Sequence, residues 1–140
     1  MISVEEALAR LLAPLAALPP EQVSVADAVG RVLAEDVAAR RTQPPFAVSA
    51  MDGYAVRAED VAAIPATLRI VTEIPAGAGY GGTIGAGEAA RIFTGAPLPA
   101  GADAIVIQED TERDGERVMV KEGAPKGRYV RRAGLDFAEG

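Results

Sequence analysis

Apolar residues at Val4, Ala7, Leu8, Leu11, Leu12 and Leu15 recur at helical spacing near the start of the chain. Ser3 with Glu6 three residues later reads as a capping box, so the pattern predicts an amphipathic helix over about 4–13. Pro14, Pro19 and Pro20 end it, because a ring without an N–H cannot extend the hydrogen-bond ladder. Val23 and Val25 then alternate as in a short strand, and Asp27 is placed to cap a brief helix carrying Ala28, Val32 and Leu33. Up to about Arg41 the chain is expected to be α-rich.

From Thr42 the periodicity changes. Pro and Gly now separate short β-branched runs: Tyr54–Val56, Leu68–Glu73, Ala89–Phe93, Ala104–Gln108, Arg117–Lys121 and Tyr129–Arg131. Such punctuation predicts a small antiparallel barrel or sandwich, with Asp114-Gly115 as a type I′ hairpin turn. The expected fold class is therefore α+β and mainly β, a short helical N-terminal segment plus a small antiparallel β-barrel- or sandwich-like domain. The residues from Gly134 to Gly140 read as a connecting segment with nothing of their own to pack against, as expected if the natural chain runs on.

Composition narrows the chemistry. A compact chain of 140 residues buries roughly 68–70% of its unfolded surface, enough for a core without staples. With three Phe, three Tyr and no Trp that core must be aliphatic, and aromatic platforms for stacking bases are not expected. A net charge of −6 repels phosphate backbones at long range and argues against nucleic-acid binding. The absence of Cys and His excludes disulfides, thiolate nucleophiles, structural zinc sites and Ser–His–Asp triads within this chain. The longest uncharged stretch, Ile74 to Gly87, is too short and too glycine-rich for a membrane span, and Glu5 and Glu6 stand near the start where a basic region would precede a signal sequence. A cytoplasmic protein is expected.

One motif is a decoy. Gly77, Gly79 and Gly82 fit G-x-G-x-x-G after a strand-like run, with Asp103 downstream as a ribose contact, which is all that a nicotinamide-dependent dehydrogenase reading rests on. That reading needs a helix directly after the third glycine. Thr83, Gly85 and Gly87 come next instead, and each mid-helix glycine costs about 0.8–1 kcal/mol relative to Ala. A connection between two strands is expected there.

Four stretches can carry chemistry. Ser49-Ala50-Met51-Asp52-Gly53-Tyr54-Ala55 is entered through Pro44-Pro45-Phe46, and Gly53 is read as allowing a backbone angle that projects the Asp52 carboxylate from a tight turn. Asp-Gly is also an ordinary turn pair whose aspartate caps backbone amides. In Phe93-Thr94-Gly95-Ala96-Pro97-Leu98-Pro99 a hydroxyl precedes glycine at a strand end, where it serves an anion or merely satisfies the turn. Gln108-Glu109-Asp110 offers carboxylates to Mg²⁺, or forms a solvated edge. Arg128, Arg131 and Arg132 suit phosphate or molybdate-like oxyanions, with surface charge or an intersubunit ion pair as the alternative.

In their order along the chain, the segments 49–55, 93–99, Gly101–Asp110 and Val130–Asp136 resemble the N-terminal part of the molybdopterin molybdenumtransferase family, the MoeA type. The likeness covers the whole chain but about the first third of a family member. It implies a multidomain cytoplasmic homodimer with an active site shared between subunits. Such an enzyme uses Mg²⁺ and molybdate to convert adenylylated molybdopterin into molybdenum cofactor with release of AMP, downstream of a molybdopterin-adenylylating enzyme. On this chain, residues 1–43 and 133–140 resemble the elongated first domain and 44–132 the β-rich second domain.

By the same resemblance Asp52 and Thr94 are the catalytic candidates. Ser49, Gly53, Gly95, Arg131, Arg132 and Asp136 are candidates for substrate binding, and Asp52 and Glu109 for the metal. A carboxylate beside two anions requires a Mg²⁺ or an arginine between them. The expectation is thus that Asp52 organises a metal or its water while Thr94 bonds an oxyanion; a general-base role for Asp52 would need a raised pKa. The isolated chain is expected to be inactive because the nucleotide- and pterin-binding domain is missing. A non-catalytic dimerisation or scaffold module of the same fold is the alternative.

Overall fold

The computed structural model describes residues 2–140, which form two compact units, one ending at Val37 and one spanning Ala38–Gly140. The first unit contains helix α1 (Val4–Leu12). Ser3 caps it by accepting from the Glu6 amide at 3.1 Å, and Glu6 pairs with Arg10 one turn on. The half of the capping box that would return the Glu6 side chain to Ser3 gives way to that ion pair. The strand at Val23–Val25 and the helix carrying Ala28, Val32 and Leu33 do not form. Ser24 instead caps a single 3₁₀ turn, Val25–Asp27, and its hydroxyl bonds the Asp27 carboxylate, so Asp27 is consumed at the turn's end and does not start a helix. An apolar stripe without a surface to pack on cannot stabilise so short a helix; Val25, Val29 and Val32 are each over 90% exposed.

The second unit holds strands β1 (Val48–Ser49), β2 (Gly53–Val56), β3 (Ala66–Ile74), β4 (Glu88–Ile92), β5 (Ala104–Ile107), β6 (Thr111–Asp114), β7 (Arg117–Val120) and β8 (Val130–Arg131). Six of them form one sheet in the order β5-β2-β4-β3-β7-β6, antiparallel except for the β3–β4 pair. The terminal strands β5 and β6 are joined by a 3₁₀ turn of three residues, Gln108–Asp110. At ~2 Å per residue that turn spans only about 6 Å, so the two edges must approach and the sheet curls into a half-barrel. The mainly β class expected from the runs of β-branched residues is what forms.

Both faces of the central strands are covered. Tyr54, Val56, Val106, Val118 and Val120 belong to one core cluster, and Ala55, Ile74, Ile92 and Ile105 to a second that also takes in Ile84 and Ala96 from loops. This explains why β2 and β5 carry continuous apolar runs with little alternation. The glycine-rich segment 75–87 connects β3 to β4 with no helix after Gly82, which removes the dinucleotide motif. The β6–β7 turn sits one residue later than the sequence suggests: Gly115 and Glu116 are its central residues, and of these only Gly115 has positive φ, as type II′ and not I′ requires.

β1 and β8 form a separate two-stranded ladder. Beyond it the segments 39–44 and 134–140 run side by side, with Gln43 bridged to Phe137 and the Gly134 amide on the Pro44 carbonyl.

Candidate functional site

Asp52 is the last residue before β2, and its neighbour Gly53 fixes its position. Gly53 is buried against β5: a Cβ there would lie 2.0 Å from the Val106 carbonyl oxygen. Its φ is not positive, so the requirement for glycine is this close approach and not the special backbone angle expected. The Asp52 carbonyl accepts from the Gln108 amide at 3.1 Å. Upstream, the Ser49 amide donates to the Ala96 carbonyl, the Gly95 amide donates to the Ser49 carbonyl, and the Ala50 amide donates to the carbonyl of Tyr129, each at 2.9 Å. Val48 and Ser49 also pair with Arg131 and Val130 across β1–β8. The four stretches singled out in the sequence therefore converge on one bend.

At its centre, Asp52 Oδ1 accepts from both the amide and the hydroxyl of Thr94, each at 2.8 Å. A carboxylate is acceptor-only, so the Thr94 hydroxyl spends its proton on Asp52 and keeps only acceptor capacity. A hydrogen bond donated by the Thr94 hydroxyl to an oxyanion would have to compete with this one. The Thr94 amide and then the Thr94 hydroxyl hold the Asp52 carboxyl below the usual aspartate range against a smaller opposing effect of burial, and the positive charge of Arg91 adds least. A carboxylate held below that range is a weaker base, the opposite of the raised pKa that a general-base role needs. Oδ2 accepts no hydrogen bond among the described residues and is not fully buried.

The remaining candidates separate. Ser49 is 1% exposed, and its hydroxyl donates to the Met51 carbonyl at 2.6 Å and accepts from the Met51 amide at 3.3 Å, an internal brace of the bend. Gly95 needs its glycine, with φ +83 beside Thr94. Arg131 lies close to the bend through β8, but its guanidinium is held by both oxygens of Asp136 at 2.6 and 2.7 Å. Arg128 bonds Glu122 and the Gly123 carbonyl and stacks on Tyr129. Arg132 is exposed and forms no ion pair among the described residues. Glu109 stands exposed on the turn that begins with Gln108, and no three carboxylates gather at metal-ligand spacing among the described residues. Two shallow hollows, of about 300 and 240 Å³, lie elsewhere, around Val61 and Ala124 and around Thr72 and Arg113.

Sequence reasoning missed Arg91. Its guanidinium donates to the Gly53 carbonyl at 2.9 Å and to the Gln108 side-chain oxygen at 2.8 Å, and it lies over the rings of Phe93 and Tyr54. The available signal was one cation inside the apolar run Ala89–Phe93.

The hydrogen bonds from Thr94 and Gln108 thus fix one aspartate at the start of β2 in the curled sheet. Comparison with known proteins shows the family. A family model described as the MoeA N-terminal region, domains I and II, matches residues 2–140, and the chain belongs to that family. It is 40% identical over 159 residues to molybdopterin molybdenumtransferase 1 of Mycobacterium tuberculosis, covering all of this chain and 37% of that protein. It is 45% identical over 115 residues to the molybdopterin molybdenumtransferase of a Nostoc species, covering 79% of this chain and 26% of that one. The crystal structure of the molybdopterin biosynthesis moeA protein from Pyrococcus horikoshii OT3 matches with a TM-score of 0.79 at 37% identity, covering 86% of this chain and 33% of that one. The chain thus spans between 26% and 37% of the length of these relatives.

Proposed function

We propose that this chain is the part of a molybdopterin molybdenumtransferase that supplies the Asp52 carboxylate to the site where molybdate is inserted into adenylylated molybdopterin with release of AMP. The observation that carries the reading is the double hydrogen bond from Thr94 to Asp52 Oδ1, which joins two stretches 42 residues apart and leaves Oδ2 without a hydrogen-bond partner among the described residues. Residues 44–132 act as the second domain, and 1–43 with 133–140 as part of the first. The partner subunit of a cytoplasmic homodimer completes the cleft, and an adenylylating enzyme supplies the substrate.

Asp52 suits a Mg²⁺ site of the kind that uses one or two carboxylates together with substrate phosphates. Oδ2 would be its ligand, with Glu109 the other candidate, and the ion would supply neutralisation of anionic oxygens. Thr94 keeps Asp52 ionised and oriented. Alone, the chain lacks the nucleotide- and pterin-binding part and is inactive.

The test is Asp52→Ala and Asp52→Asn in the full-length protein, with molybdenum-cofactor formation and AMP release measured beside circular dichroism. Both variants are expected to fold and to lose activity; unchanged turnover removes Asp52 from the reaction.

One observation favours a second reading, a non-catalytic dimerisation or scaffold module: Leu8, Leu11, Leu12 and Leu15 on and just after α1 are each more than half exposed. Sedimentation of Leu12→Asp tests whether that stripe holds a dimer. Restoration of activity on adding the missing domains would favour the catalytic reading.

A further inference from the structure

The single side chain of Arg91 reaches residues that adjoin both Asp52 and Thr94. Its Nη1 bonds the carbonyl of Gly53, the residue after Asp52. Its Cζ lies 4.6 Å from the ring centroid of Phe93, the residue before Thr94. Its Nη2 bonds the side chain of Gln108, whose own amide donates to the Asp52 carbonyl. The other wall is Tyr54, the Cα partner of Arg91 across β2–β4, with its ring centroid 5.4 Å from the guanidinium. Residues in or next to three neighbouring strands, β5, β2 and β4, are therefore held by one planar cation: Gly53 and Phe93 each adjoin a member of the pair, and Gln108 is bonded to Asp52 through its amide.

We propose that Arg91 is a positioning residue that clamps the bend from Asp52 to Gly53 against Thr94 and Gln108, so that the carboxylate is held in one orientation before any ligand arrives. The guanidinium is suited to this because its fork offers two donors in fixed relative directions and a flat face for the rings, which a lysine ammonium cannot reproduce. The clamp concerns this chain's own geometry, and it stands or falls separately from the reaction proposed for the longer protein.

The readout is the Thr94 amide, whose partner is Asp52 Oδ1, monitored by hydrogen exchange and NMR in the 140-residue chain. Arg91→Met removes both donors at similar length, and the Thr94 amide is expected to exchange about tenfold faster, the scale of losing hydrogen bonds from a charged group. The amides of Val118 and Val120 on β7 should change by less than about twofold, since they belong to a separate part of the cooperative sheet. Arg91→Lys keeps the charge without the fork and should show most of the same acceleration. Gln108→Ala, a change at an exposed side chain, removes one arm and should move the same amide about threefold; it decides the matter if Arg91→Met does not fold. Unchanged Thr94 exchange, equal acceleration across β7, or full rescue by lysine would each overturn the proposal.

Discussion

Asp52 and Thr94 are joined twice at a single oxygen, by an amide and a hydroxyl that each lie 2.8 Å from Oδ1. The amide is the larger influence on the carboxyl and the hydroxyl the second, both favouring the charged form. The folded chain therefore binds a proton at Asp52 less readily than the unfolded chain. Its contribution to stability is complete above the ordinary aspartate pKa and is lost as pH falls through the depressed folded value.

Carboxyl ¹³C NMR titration of Asp52 is thus expected to give a midpoint below the usual aspartate range. Thr94→Ala should raise that midpoint only part of the way back, because the amide bond remains. An identical midpoint in the two proteins would mean that the hydroxyl contributes nothing.

The two glycines flanking this pair are required for opposite reasons, and substitutions can tell them apart. At Gly95, with φ +83 and open space around it, Asn should be tolerated better than Ala, because Asn accepts the left-handed region more readily. At Gly53 the obstacle is the Val106 carbonyl, so Ala should cost about 1–3 kcal/mol and the larger Asn more. Urea midpoints of the four variants give the ranking; a Gly53→Asn protein as stable as Gly53→Ala would contradict the close-approach explanation.

The same contrast shows what a sequence can reveal here. The runs at Tyr54–Val56 and Ala104–Gln108 are legible as strands because β2 and β5 are buried on both faces and so keep only apolar residues. Strand β6 is not legible in this way because Thr111-Glu112-Arg113-Asp114 lies on a solvated edge, where no burial constrains its pattern. The parallel pairing of β3 with β4 leaves no trace in the side chains, since alternation records faces and not direction. Asp52 and Thr94 are legible through their motifs, but a guanidinium serving Gly53, Phe93 and Gln108 at once depends on the sheet order, which no local spacing encodes.

Stability in this chain should be concentrated in the unit that contains the sheet. Ile105 is fully buried in the second core cluster, and Ile105→Ala should cost about 2–5 kcal/mol through lost burial and the cavity left behind. Val32 is 92% exposed, and Val32→Ala should change the unfolding free energy by less than about 0.5 kcal/mol. Paired urea melts of the two variants check this directly. A comparable loss at Val32 would show that the residues up to Val37 bury their apolar side chains in solution.

Ser49 provides the last test, because its sequence context points to substrate while its hydroxyl points inward. The side chain is buried and both of its hydrogen bonds go to Met51, so it tightens the approach to Asp52 from within the loop. Ser49→Ala removes both the bond to the Met51 carbonyl and the longer one from the Met51 amide and should cost about 1–2 kcal/mol. Because Asp52 is reached through Met51, the change should also be felt at the Thr94 amide, as faster exchange without loss of the sheet's protection. Ser49→Cys, which keeps a weak donor at nearly the same size, should fall between the two proteins. A Ser49→Ala chain with unchanged stability and unchanged Thr94 exchange would mean that the loop holds Asp52 through its backbone bonds to Ala96, Gly95 and Tyr129 alone.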